Sequence, residues 1–311
     1  MRKSIFIAVI LLALPFARVW AQGASTAFPY LKIDRSPVTS ALAGAGSAST
    51  LGAAYAAFSN PAMLPFLEGE SAFDSGFTMQ FWAPGASKST NTNVGVAYKI
   101  NPRIAITGGL ALQVAQGYET YDNSGVVNGT YSPTDFILAL GAGFAATENL
   151  SFGANFHLAS STIASGTSYA NVNFDIFAAY RVLDGLKLTA GVSNFGPAVK
   201  SYSKQTYPLP TSVKLALDYT LGIGEGLKID FVADGDYYFS KDFAAAAGAN
   251  VAWKWLRAGV GYRFASAGAP IPSHLGVGAG LQFGGFTINA SYLTASAAIG
   301  NTLAIGLGYR F

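Results

Sequence analysis

The chain has 311 residues, of which 51% are hydrophobic and 11% charged, against about 25% charged in ordinary soluble domains. Its net charge of +3 comes from Arg2, Lys3 and Arg18 near the start, since the rest of the chain carries sixteen basic and sixteen acidic residues. A neutral protein offers no basic field to nucleic acid, and the absence of cysteine excludes a disulfide scaffold or a lipoprotein anchor.

Residues 1–21 read as a secretory signal peptide. Arg2 and Lys3 form the basic end, Ile5 to Phe16 is an apolar run, and Val19-Trp20-Ala21 supplies the small-residue cleavage site. That run is too short for a membrane helix, which needs roughly 20 residues. The chain is therefore expected to leave the cytoplasm without a helical anchor.

Residues 22–72 do not alternate. Tyr30-Leu31-Lys32-Ile33 precedes a small-residue stretch, Ala41 to Ala57, which closes on Phe58-Ser59-Asn60-Pro61-Ala62-Met63-Leu64-Pro65. Such composition allows a short helix that the two prolines stop. The segment is too apolar for a free tail and is expected to fold into a lumen as a compact plug. Asn60 would hold irregular backbone with its side chain, and Pro61 would fix the turn toward the first strand. Gly44-Ala45-Gly46 lacks the third glycine and the preceding strand of a dinucleotide loop, so tight packing is its reading.

From residue 73 onward apolar and small or polar residues alternate, the period of a strand whose faces meet different surroundings. Fourteen segments follow: 73–82, 93–101, 103–114, 134–146, 149–159, 171–183, 186–195, 212–221, 226–237, 242–253, 255–264, 273–283, 285–293 and 301–311. Most are about ten residues long, as a tilted membrane strand requires. Tight turns alternate with longer polar connections at 83–92, 115–133, 160–170, 196–211, 265–272 and 294–300. That is the plan of an outer-membrane barrel, with short periplasmic turns and long outer loops. The connection at 238–241 is an exception, being short on the outer side. The expected fold is all-β, a transmembrane antiparallel β-barrel of about fourteen strands spanning 73–311, with twelve or sixteen as alternatives. A secreted solenoid or sandwich is the rival fold. Leu217 and Ile305 fall on the lipid face, Ala216 and Gly306 on the lumen face. The closing strand places Leu303, Ile305, Leu307, Tyr309 and Phe311 on one face. Tyr309 and the terminal Phe311 look like the assembly signal of bacterial outer-membrane proteins.

The inward set carries the charges Asp175, Arg181, Lys187, Lys214, Asp218, Lys228, Asp230, Asp234, Asp236, Arg257, Arg263 and Arg310. Asp175, Arg181, Lys214, Asp218, Asp230, Asp234, Arg257 and Arg263 form the candidate lumen network, which either pairs internally and holds the plug or guides a ligand. The only two histidines, His157 and His274, are isolated on the inward set, so no transition-metal site, cofactor or enzymatic activity is expected. Ser151 and Ser161 near His157 carry no mark of a nucleophile.

Four features resemble the PorV/PorQ family of outer-membrane barrels, related in fold to the FadL long-chain fatty-acid transporter. They are Arg35-Ser36 followed by Ala41-Leu42-Ala43-Gly44-Ala45, then Asn60-Pro61-Ala62, then Gly191-Val192-Ser193-Asn194-Phe195-Gly196 leading to Leu209-Pro210, and the closing strand. The resemblance implies a 14-stranded, FadL-like barrel with an N-terminal hatch, in the outer membrane of a Gram-negative bacterium. It also implies a protein-interaction role in type IX secretion or surface attachment, through outer loops 115–133 and 196–211. Implied partners are outer-membrane lipid, the barrel-assembly machinery, secretion-pore subunits and secreted cargo. The alternative is a FadL-like passage for a hydrophobic small molecule. That requires an apolar pocket, for which the hatch offers Phe28, Tyr30, Phe58 and Phe66.

Overall fold

The computed structural model describes residues 26–69, 72–85, 88–122, 124–200 and 204–311. The signal peptide expected over 1–21, and residues 22–25 after it, lie outside them. Alternation in the sequence becomes a continuous wall. It starts with β1 (Ala72–Trp82), β2 (Ser89–Lys99) and β3 (Ile104–Val114), followed by a loop hairpin, β4 (Tyr118–Tyr121) and β5 (Val127–Tyr131). The wall resumes with β6 (Thr134–Ala145), β7 (Leu150–Ala164), β8 (Thr167–Leu183) and β9 (Leu186–Phe195). A second loop pair, β10 (Val199–Lys200) and β11 (Thr206–Tyr207), comes next. The wall ends with β12 (Ser212–Ile223), β13 (Leu227–Tyr238), β14 (Phe243–Trp253) and β15 (Leu256–Ala265), then β16 (His274–Phe283), β17 (Phe286–Thr294) and β18 (Thr302–Arg310).

Fourteen strands form one closed antiparallel barrel, sealed where β1 pairs with β18 from Asp74↔Arg310 to Phe81↔Leu303. Closure leaves no edge and satisfies the backbone within the wall, which a hydrocarbon solvent demands. The faces follow the sequence register. Leu217 and Ile305 are 40% and 44% exposed, while Ala216 and Ala304 on the opposite face are 8% and 1% exposed. An exterior this apolar belongs in a bilayer. Aromatic rings gather toward the strand ends, as at a membrane interface. Trp255 stacks on Phe283 at 5.9 Å at the short-turn end, and Phe243 meets Phe264 at 5.8 Å at the other. No helix among the described residues is long and apolar enough to cross a membrane.

Several boundaries differ from expectation. The expected connection 83–92 shortens because β2 begins at Ser89, where Asn91 Nδ2 donates to Gln80 Oε1 across the ladder. Most of 160–170 is strand: β7 and β8 run on to a turn where Gly166 has φ 74°. At the first place the inward Asn91 and Asn93 mimic loop chemistry, and at the second polar residues such as Ser160, Ser161 and Thr162 occupy both faces of the strand. The loops at 115–133 and 196–211 hold the β4–β5 and β10–β11 pairs, and the Tyr118 hydroxyl ties the first to the Ile163 carbonyl at 2.8 Å. A bulge sets Asp175 on β8 against Asn194 on β9, whose amide donates to Asp175 Oδ1 at 2.7 Å.

The N-terminal segment is irregular. A five-residue helix, α1 (Pro37–Ala41), starts on a Ser36 cap with Pro37 in its first turn. The helix thus precedes most of the Ala-rich stretch, because Gly44 and Gly46, at φ 81° and 128°, break the chain there. Short 3-10 segments cover Ala53–Phe58, kinked at Tyr55, and Pro61–Phe66. The first wall strand, expected at 73–82, begins at Ala72.

Candidate functional site

Hydrogen bonds from the N-terminal segment reach inward-facing groups on widely separated strands. Tyr55 Oη and Thr78 Oγ1 of β1 lie 2.5 Å apart, and His157 Nε2 of β7 donates to the Ala57 carbonyl at 2.7 Å. Lys32 Nζ donates to Ser193 and Ser212, each at 2.7 Å, and the Gly46 amide to Asp234 at 2.9 Å. Contact is so close that the wall carries glycine where backbone meets backbone. A Cβ on Gly153 would lie 2.2 Å from the Ala62 nitrogen, and one on Gly261 2.4 Å from the Leu42 carbonyl. Asn60 Oδ1 accepts the Ala62 amide at 3.0 Å, and its Nδ2 donates to the Ser47 carbonyl at 2.8 Å. Pro61 opens the following turn, and Ser151 on β7 donates to the Ala62 carbonyl.

The eight candidate charges do not form one network. Asp236 is a hub: it lies 3.2 Å from Lys214, 3.6 Å from Arg263 and 3.5 Å from Lys32, and accepts the Ser212 hydroxyl at 2.9 Å. Asp234 binds Lys214 at 3.3 Å and the Gly46 and Ser47 amides, so wall charge also holds the segment. Burial pushes the Lys32 ammonium down to about 8, against the attraction of Asp236. Asp218 pairs with Lys187 at 2.6 Å, separate from the hub. Asp230 takes Thr220 and Asn250, Asp175 takes Asn155 and Asn194, and Arg181 lies over the Phe66 ring at 4.8 Å. Arg257 lines a small cavity beside Asp74 and Arg310 near the short-turn end. Lys32 was not legible as a member of the hub, because its segment has no strand period.

At the long-loop end lies a mostly apolar cleft of about 660 Å³, lined by Phe28, Pro29, Ile33, Trp82, Ile271 and Ile299 among others. Phe28 and Tyr30 pack ring to ring at 5.5 Å. Of the four expected hatch aromatics, these two line the cleft, Phe58 faces a deeper cavity, and Phe66 lies toward the short-turn end. The deeper cavity, about 120 Å³, shares Ile33, Trp82 and Ile271 with the cleft and reaches Lys32, Asp236 and Arg263. Pro270-Ile271-Pro272 and Ile299, apolar residues in outer loops, are the missed contributors. Their apolarity within polar loops was the available signal.

At the seam, Phe73 and Phe311 exchange backbone hydrogen bonds at 2.9 and 3.1 Å and stack at 5.2 Å. Tyr309 packs on Phe286 at 4.8 Å. Among the described residues no group of His, Asp and Glu is placed to hold a metal ion.

No protein-family model and no curated protein matches the chain. Solved structures do. The Ralstonia pickettii toluene transporter TbuX aligns with a TM-score of 0.62 at 12% identity, covering 90% of this chain and 98% of that one. The P. putida toluene transporter TodX gives 0.58 at 14% identity, covering 90% and 98%. A Pseudomonas aeruginosa FadL homologue gives 0.52 at 13% identity, covering 92% and 97%. At such identities the likeness is one of fold, and it extends over nearly the whole of each chain. The protein is a closed, 14-stranded outer-membrane β-barrel with a FadL-like fold.

Proposed function

We propose that the barrel admits small hydrophobic molecules across the outer membrane. The observation that carries this reading is the apolar cleft at the long-loop end, open outward and abutting an inner cavity through Ile33, Trp82 and Ile271. Apolar concavities with few polar groups are what small hydrophobic ligands fill. Toluene transport by TbuX and TodX supports the same chemistry. Residues 26–69 then act as a hatch, tied to the wall by the Asn60-Pro61-Ala62 turn and the Asp234–Asp236 charges. The barrel's partners are outer-membrane lipid along its exterior and the assembly machinery, which reads the strand ending in Tyr309 and Phe311. No enzymatic step is proposed. The PorV/PorQ resemblance and its type IX secretion role draw no support from the three neighbours described, and the cleft favours passage over cargo handling.

Trp82 provides the test. In a barrel produced without residues 1–21, which removes Trp20, Trp253→Phe and Trp255→Phe leave Trp82 as the reporter, and titrating the folded barrel with toluene in detergent should saturably change its fluorescence. A linear, nonsaturating response equal to that of the Trp82→Phe variant would refute the reading.

A further inference from the structure

The cleft is not uniformly apolar: besides tyrosine hydroxyls such as that of Tyr207, it carries a polar strip of definite chemistry. Gln113 on β3 stands directly opposite Asp135 on β6, which in turn stands opposite Ser161 on β7. All three line the cleft. The Ser161 hydroxyl donates to Asp135 Oδ1 at 2.5 Å. No Lys or Arg among the described residues forms an ion pair with Asp135. Arg35, the cation of the neighbouring segment, sends its Nη groups to Asn93 and the Tyr30 carbonyl instead. Gln113 spends its Nε2 on Ser89 at 3.1 Å, leaving its buried Oε1 with no partner. The strip therefore offers acceptors: an ionised carboxylate accepts only, and the amide oxygen beside it still lacks a donor. Among the described residues, the rest of the lining, with Phe28, Trp82 and Ile299, includes no Lys, Arg or His that would pair with an anion.

Resting on the proposed passage, we infer that the cleft selects hydrophobic molecules carrying a hydrogen-bond donor, such as alkylphenols, over bare hydrocarbons and over carboxylates. A hydroxyl placed at Asp135 or Gln113 satisfies groups that a hydrocarbon would bury unpaired, and a site built to bond a hydroxyl disfavours the analogue lacking it. A carboxylate would instead face Asp135, like charge to like charge, in a low-dielectric wall.

Three probes of one shape separate the outcomes: 4-ethylphenol, ethylbenzene and 4-ethylbenzoate, each titrated calorimetrically into the folded barrel at neutral pH. The phenol should bind at least about tenfold more tightly than ethylbenzene, as one hydrogen bond to a charged acceptor implies, and the benzoate more weakly than both. In Asp135→Asn the benzoate should gain affinity relative to the phenol. In Gln113→Leu, which leaves the carboxylate in place, the phenol's margin over ethylbenzene should shrink while the benzoate stays excluded. Folding of each variant is checked by its unboiled gel shift. Equal binding of ethylbenzene and 4-ethylphenol, or preferred binding of the benzoate, overturns the inference and leaves a hydrophobic passage standing. Binding of none of the three overturns both.

Discussion

Replacing Asp236 by Asn tests whether buried charge ties the N-terminal segment to the wall. Asparagine keeps the shape and can still accept the Ser212 hydroxyl, but removes the carboxylate that lies 3.2–3.6 Å from Lys214, Arg263 and Lys32. Lys214 keeps Asp234 at 3.3 Å, whereas Arg263 and Lys32 lose their ion-pair partner. Removing one member of a buried ionic group costs about 3–5 kcal/mol, because the remaining charges stay desolvated. Lys32→Met should behave differently. It loses two hydrogen bonds, but Ser193 and Ser212 keep each other at 3.1 Å, Asp236 keeps two cations and burial already disfavours the Lys32 charge, so the loss should be about 1–2 kcal/mol. The double variant should cost less than the sum of the single ones, since Lys32→Met removes a cation that Asp236→Asn strands. The assay is urea unfolding in vesicles of fixed composition, with the folded fraction read from unboiled gels. At a slope of about 2 kcal/mol per molar, Asp236→Asn should lower the midpoint by roughly 2 M. A shift below about 0.5 M, or an equal shift for Lys32→Met, would refute the reasoning.

Other outcomes follow from the same geometry. Arg at Leu217 should cost about 2–4 kcal/mol near the midplane by urea titration in lipid, whereas at Ala216 the penalty is steric and depends on the packed segment behind it. Equal effects of lipid thickness on the two variants would contradict the face assignment. Gly153→Ala drives a Cβ into the Ala62 backbone, so it should loosen the segment and raise single-channel conductance in planar bilayers while the barrel still folds. Phe311→Ala removes the ring stacked on Phe73 and should lower the yield of folded protein in the outer membrane, measured by gel shift of membrane fractions.

The wall was legible in the sequence because each strand meets lipid on one face and packed side chains on the other, which writes a period of two into the chain. The rows Leu217/Ala216 and Ile305/Ala304 show how directly that period maps onto exposure. Strand ends were less legible. Asn91, Asn93 and Ser161 are polar because they face inward, and Ser160 and Thr162 add polar residues on the outward face beyond the apolar band, so the composition there matches that of loops. The cleft was illegible as a unit. Phe28, Trp82, Ile271 and Ile299 are far apart in the chain and meet only after barrel closure. The Asp236 hub was half legible: its wall members alternate, but Lys32 arrives from a segment whose path is set by glycine-to-backbone contacts such as Gly153 with Ala62.

Passage through the cleft is tested most directly by uptake of radiolabelled toluene into cells whose outer membrane lacks other hydrocarbon channels. Expression of the parent barrel should raise the initial uptake rate well above that of the empty host. Ala298→Trp, placing a large ring in the cleft from an exposed loop position, should return the rate toward background with the barrel still folded. Parent uptake indistinguishable from the empty host, with the barrel folded and present in the membrane, would contradict a hydrophobic passage.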